Sequence, residues 1–198
     1  MFTRTESFRE FIRLYPIVTL IVAIQIIAFL FSTDLLSNEW LLVKFAGVNL
    51  FIWEGEYWRL LTPLFLHANF SHLLFNCFSL ILFGPALETM IGKTKFLLVF
   101  IIAGITANVA TLFLEPLTYT HVGSSGAIFG IFGFYISIIL FRKGWMTKPN
   151  SQLILSLAVI SLVMTFIQPN VNIVAHLFGF LAGFIIGLLS FSGKKTTF

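Results

Sequence analysis

The residues best suited to chemistry lie between His121 and Gly133, in HVGSSGAIFGIFG, where a glycine-flanked pair of serines runs into an apolar, glycine-rich stretch. A serine at that junction has its hydroxyl at the start of a buried helix. Its own N–H is among the unpaired donors of the first turn. A nucleophile thus coincides with part of a site for negative charge. Alone, Gly-Ser-Ser-Gly reads as a flexible turn leading into a helix, so its meaning depends on what the rest of the chain brings to it. Two histidine-bearing stretches are the candidates: HANFSHLLFN, with His67, His72 and Asn76, and AHLFGFLAGFIIG, with His176 followed by Gly179, Gly183 and Gly187.

The elements that must position these groups follow from composition. The chain has 198 residues, 58% hydrophobic and 10% charged, with a mean hydropathy of +0.99. Soluble domains carry about 25% charged residues, so this is an all-α integral membrane protein. The net charge of +4 sits in short basic clusters between apolar runs, which suits membrane orientation and not nucleic-acid binding. One cysteine, Cys77, excludes an internal disulfide and a cysteine-based metal cage. It adjoins Asn76 but points about 100° away on a helix, as a small apolar packing residue.

Six segments approach the roughly 20 apolar residues of a membrane span: 14–31, 69–88, 95–114, 125–141, 152–168 and 172–191. The first is too long for a signal peptide, and no small-residue cleavage site follows it. The last two are separated by a turn at Gln168-Pro169-Asn170. Residues 1–13 and 193–198 then form short tails on a six-span domain over 14–192. Arg4, Arg9, Arg13, Lys93, Lys95, Arg142, Lys143, Lys148, Lys194 and Lys195 fall on one side, and only Lys44 and Arg59 on the other. Both termini are therefore expected in the cytoplasm. The long loop 32–68 carries Trp40, Phe51, Trp53, Tyr57 and Trp58 among Asp34, Glu39, Glu54 and Glu56. That mixture predicts a partly membrane-embedded outer loop with short amphipathic helices.

His72 and Asn76, four apart, share one helix face. Such a pair is either interhelical glue, worth about 0.6 kcal/mol on average, or part of a functional site inside the membrane. Gly179, Gly183 and Gly187 form one stripe with His176, and Gly126, Gly130 and Gly133 offer a matching smooth face. Packing the two would bring His176 towards Ser125. No Asp or Glu occupies a span interior; Glu88 and Glu115 lie at span ends. A three-member relay is therefore absent, leaving Ser125 as nucleophile and His176 as its general base. His72, Asn76 and the Ser125 N–H complete the pattern as donors to a developing oxyanion, as acyl transfer requires.

With these residues in hand, the chain resembles the rhomboid family of intramembrane serine proteases from about Gly47 to Gly187. GSSG with Ser125 matches the family's GxSG, HANFSHLLFN its second span, and AHLFG its histidine motif. GEYWRLLTP, with Trp58 and Arg59, and GPALE, from Gly84 to Glu88, are similar to further family signatures. The resemblance implies a six-helix bundle, a Ser125–His176 dyad, and an oxyanion hole including His72 and Asn76. It also implies substrates that are transmembrane helices, no cofactor, and residence in a cell membrane, here a bacterial plasma membrane. Ser125 is preferred to Ser124 because it stands just before the glycine of the motif.

His67 either shapes the cavity or holds the outer loop, and His121 is expected in solvent. A metalloenzyme built on His67, His72, His121 and His176 lacks HExxH and any carboxylate among its histidines. A transporter would need an inverted repeat and broken mid-membrane helices, and neither is visible. A proteolytically inactive rhomboid-like binding or quality-control protein is the remaining alternative. The sequence leaves the natural substrate and the oligomeric state open.

Overall fold

The computed structural model describes residues 2, 5–32, 40–142 and 144–191. Arg4, Asp34, Glu39, Lys143, Lys194, Lys195 and the tail 193–198 of the sequence reading lie outside the described residues. Nine α-helices follow one another among the described residues: α1 (Phe8–Leu14), α2 (Pro16–Ser32), α3 (Trp40–Phe45), α4 (Asn49–Trp53), α5 (Phe70–Ile91), α6 (Lys93–Leu114), α7 (Ser125–Phe141), α8 (Lys148–Ile167) and α9 (Ile173–Phe191). The six expected apolar segments are α2 and α5 to α9. By length and composition α5, α6, α8 and α9 suffice to cross a membrane, α2 qualifies only together with α1, and α7 is a shorter apolar helix of 17 residues.

The region expected to be a tail holds α1, which opens with a capping box between Ser7 and Glu10. Each of those side chains satisfies a backbone N–H that the helix leaves unpaired. α1 and α2 meet at 110°, with Pro16 as the first residue of α2. The start of α2 is held by Glu88 of α5, whose carboxylate accepts from Ile17 N–H at 3.1 Å and Val18 N–H at 3.0 Å. A carboxylate there satisfies two orphan donors and complements the positive end of the helix dipole.

The described part of the long loop, 40–68, is built from short helices, as expected, with Tyr57–Leu60 and Thr62–Phe65 as single 3-10 turns. Arg59 ties it together. Its guanidinium pairs with Glu56 at 2.6 Å, donates to the Val43 and Ala46 carbonyls, and lies over the Phe51 ring. The sequence reading did not anticipate a strand pair: β1 (Gly47–Val48) runs antiparallel to β2 (Thr120–His121), with Gly47 opposite His121. Asn49 extends this seam by donating to the carbonyls of Thr111, Glu115 and Pro116 at the end of α6. The outer loop is thereby fastened to the segment that enters α7.

The glycine faces meet. A methyl on Gly183 would collide with the backbone of Gly130, and one on Gly179 with that of Gly126. Gly133 lies on the Phe180 carbonyl, and Gly187 on Ser137. Positions on α7 and α9 rise together, so the two helices are parallel and in backbone contact. α6 packs on α7 in the opposite sense, with Ala107 against Gly126 and Ala103 against Gly130. α5, α7 and α9 therefore begin at one end of the bundle.

These contacts rank two substitutions. Ala favours a helix over Gly by about 1 kcal/mol, so only space decides. The added carbon of Gly183→Ala meets backbone, which cannot move without parting α7 from α9. That of Gly104→Ala meets the flexible end of Leu64, 2.6 Å away. Thermal unfolding in detergent is expected to show Gly183→Ala well below wild type, with Gly104→Ala clearly above Gly183→Ala. Equal midpoints would mean that the α7–α9 contact is loose.

Candidate active site

Ser125 is the first residue of α7, so its N–H is free of the intrahelical ladder. The turn before it needs Gly123, whose φ of +116° is disfavoured for a side chain. A Cβ there would also stand 2.6 Å from the His72 ring. Gly123 N–H is anchored on the Pro63 carbonyl at 2.9 Å. The loop is thus fixed from both sides, by the outer-loop 3-10 turn and by the start of α5.

His72 and Asn76 occupy the first two turns of α5, which Asn69 caps by accepting from His72 N–H at 2.9 Å. Asn76 Nδ2 donates to the His72 carbonyl at 2.8 Å, and its Oδ1 accepts from Ser124 Oγ at 3.1 Å. Ser124 is fully buried, its hydroxyl committed to Asn76. An amide nitrogen has two protons, so Asn76 keeps one for a further acceptor.

His176 stands in the first turns of α9. Asn172 caps that helix, accepting from Ala175 N–H at 2.8 Å, and donates to Thr111 Oγ1 of α6 at 2.9 Å. The imidazole stacks on Phe129, one turn beyond Ser125, with centroids 4.1 Å apart and planes at 17°. Its Nδ1 contacts Thr165 Oγ1 of α8 at 2.8 Å. A methyl on Gly126 would lie 3.3 Å from the Ala175 carbonyl, so the residues preceding His176 and following Ser125 touch. No hydrogen bond joins Ser125 to His176 among those of the described residues.

The structure thus brings Ser125, His176, His72 and Asn76 to one end of the bundle. Asn172, Thr165 and Phe129 were missed by the sequence reading. Asn172 had a legible signal, a capping residue just after the Pro169 turn. Cys77 is buried as expected, its thiol donating to Gln25 Oε1 at 3.4 Å. Among the described residues, no three His, Cys, Asp or Glu side chains assemble as a metal-holding group.

His121 corrects the expectation of a solvated side chain: both its ring nitrogens are enclosed without a partner. The cause is the β1–β2 pair, which sets the ring against Gly47 and stacks it on Tyr119. His67 is likewise buried and unpartnered, its ring 5.1 Å from that of His72. It faces the site while belonging to the outer loop, so the two roles left open for it coincide in space.

A family model described as Rhomboid domain matches residues 54–193. The chain is 48% identical over 197 residues to "Putative rhomboid protease YdcA" of Bacillus subtilis (strain 168), covering 98% of each. It is 34% identical over 168 residues to Rhomboid protease GluP of the same organism, covering 83% of this chain and 33% of that one. Rhomboid protease AarA of Providencia stuartii is 31% identical over 199 residues, with 87% of this chain and 70% of that one covered.

Burial lowers the pKa of His121 to about 4; burial, and then the neighbouring His72, lower that of His67 to about 3. Unfolded, both titrate near 6.5. Between about pH 6.5 and 4 the unfolded chain therefore binds protons that the folded one does not, and stability rises with pH. Each histidine contributes a slope of up to about 1.4 kcal/mol per pH unit. The unfolding midpoint is expected to fall from pH 7 to pH 5 and to stay level from pH 7 to pH 8. His121→Phe, which loses no hydrogen bond, should flatten the acid limb; an unchanged slope would place the proton uptake elsewhere.

Proposed function

The chain belongs to the rhomboid family, a family of intramembrane proteases, and from that premise we propose that it is a serine endopeptidase that cuts transmembrane helices near the outer membrane face. Six spans over 14–192, both termini in the cytoplasm and residence in a bacterial plasma membrane complete the reading. The supporting observation is the convergence of Ser125, His176, His72 and Asn76 at the end where α5, α7 and α9 begin. Basic residues Arg9, Arg13, Lys93, Lys95, Arg142 and Lys148 flank the opposite helix ends, which supports reading the site end as the outer one.

In this mechanism Ser125 Oγ attacks the scissile carbonyl carbon while His176 Nε2 takes its proton. The negative charge formed on the carbonyl oxygen is met by Ser125 N–H, Asn76 Nδ2 and the His72 ring. Collapse breaks the C–N bond, and the leaving amine takes the proton from His176. Water, activated by the same base, then cleaves the acyl-enzyme. No cofactor is invoked. The alternative is a proteolytically inactive relative with the same fold; no hydrogen bond joins Ser125 to His176 among the described residues. Catalytic hydrogen bonds are, however, often long before substrate binds and tighten in the complex.

Labelling of detergent-solubilised protein by a serine-directed fluorophosphonate separates the two readings. Wild type and Ser124→Ala should be labelled at Ser125 and cleave a model transmembrane substrate. Ser125→Ala should be unlabelled and inactive but folded, and His176→Ala should lose at least about 10²-fold in labelling rate. A folded wild type that neither labels nor cleaves would establish the inactive reading.

Substrate choice follows from the cost of opening a helix. Each scissile carbonyl is bonded within the substrate helix, and freeing it in lipid costs several kcal/mol. Near the outer face, water can satisfy the freed groups. A single-span substrate with Gly-Pro beside a small residue at that depth should be cleaved faster than its Leu-Leu counterpart. Equal rates at matched expression would mean that helix stability does not govern selection.

A further inference from the structure

Among the described residues the base proposed above has no carboxylate partner, yet its Nδ1 is not free. We infer that Thr165 of α8 is a positioning residue that holds the proton of His176 on Nδ1 and leaves the lone pair on Nε2. Thr165 Oγ1 makes two contacts, to the Ser161 carbonyl at 2.9 Å and to His176 Nδ1 at 2.8 Å. A hydroxyl has one proton and two lone pairs. A carbonyl oxygen has no proton to give, so the contact to Ser161 is donated by Thr165. The hydroxyl proton is then used, and the contact to His176 must be donated by Nδ1–H. In the opposite assignment the proton would go to Nδ1, and two oxygens would face each other at 2.9 Å with no proton between them. One assignment satisfies both contacts, and it is the one in which Nε2 is unprotonated.

Two further observations make this hold effective. The Phe129 ring lies against one face of the imidazole, so tilting is blocked and the contact to Thr165 sets the remaining rotation in the ring plane. Thr165 also comes from α8, whose apolar stretch is only 17% buried, against 50% in α5 and α6. The orientation of His176 therefore depends on a helix with few other attachments to the bundle. A neutral hydroxyl here orients the ring as the third member of a Ser-His-Asp triad would, and adds no charge in lipid.

The inference rests on the protease reading only for its catalytic consequence; the tautomer is a property of the folded protein. Full-length protein labelled with 15N at histidine, in detergent at pH 8, resolves the two tautomers by their ring-nitrogen shifts, with His176→Ala assigning the signal. His176 is expected as Nδ1–H in wild type and in Thr165→Ser, and as a mixture in Thr165→Val. In cleavage assays Thr165→Val should lower kcat by about 10- to 10²-fold, part of what a general base supplies, with KM little changed. Thr165→Ser should restore kcat to within about threefold. An Nε2–H signal in wild type overturns the inference, as does Thr165→Val with an unaltered tautomer and kcat. If Thr165→Val does not fold, the wild-type and Thr165→Ser spectra still decide it. A wild type that is inactive but shows Nδ1–H would sink the protease reading and leave the tautomer assignment standing.

Discussion

The backbone contact between α7 and α9 is the constraint on which the rest of the structure depends. In lipid, two apolar helices gain nothing by hiding from their surroundings, so association relies on close van der Waals approach. Gly126, Gly130, Gly179 and Gly183 leave no Cβ between the two backbones, and the helices settle at a separation that larger residues would forbid. The contact also fixes register. Gly126 faces Gly179 and Ala175, which places Ser125 and His176 next to one another along the same seam. Any shift of α9 along α7 would cost the glycine fit before it changed the candidate site.

A second set of ties works across the site end. The β1–β2 pair, the Asn49 contacts and the bond from Gly123 N–H to Pro63 join the outer loop to the turn that presents Ser125. Arg59, 3% exposed, donates from Nε to Glu56 and from Nη1 to that loop's own carbonyls of Val43 and Ala46. Buried charge is tolerated when it is paired and hydrogen-bonded. The loop is thus a structured lining for the candidate site, and the aromatic residues on it remain largely exposed for the headgroup layer.

Much of this was legible in the sequence because membrane helices announce themselves. The six apolar runs fall within a few residues of α2 and α5 to α9, and the glycine stripes predicted the α7–α9 pairing from spacing alone. What escaped was of three kinds. The two-residue strands of β1 and β2 are too short to show a period, and with them went the true setting of His121. The Ser7-to-Glu10 capping box was present as a motif but lay in a stretch treated as a tail. Thr165 gave no signal because a threonine bonded to the carbonyl four residues earlier is a common way for a membrane helix to absorb a hydroxyl. Only its second contact distinguishes it.

That no aspartate lies near His176 among the described residues has a physical logic in this setting. A permanent carboxylate at that depth would have to be desolvated and paired, at a cost of several kcal/mol. The proposed serine-to-histidine proton transfer needs no such resident charge. As Ser125 attacks, the imidazolium and the oxyanion form together, and the site as a whole stays neutral. The starts of α5, α7 and α9 already turn unpaired N–H groups and the positive ends of three helix dipoles towards that end of the bundle, where they meet the negative partner of the pair. What the imidazole still requires is a fixed orientation, and a hydroxyl on a neighbouring helix supplies that without a charge. On this account a dyad with a neutral third contact is the form of serine catalysis that a low-dielectric bundle accommodates at least cost.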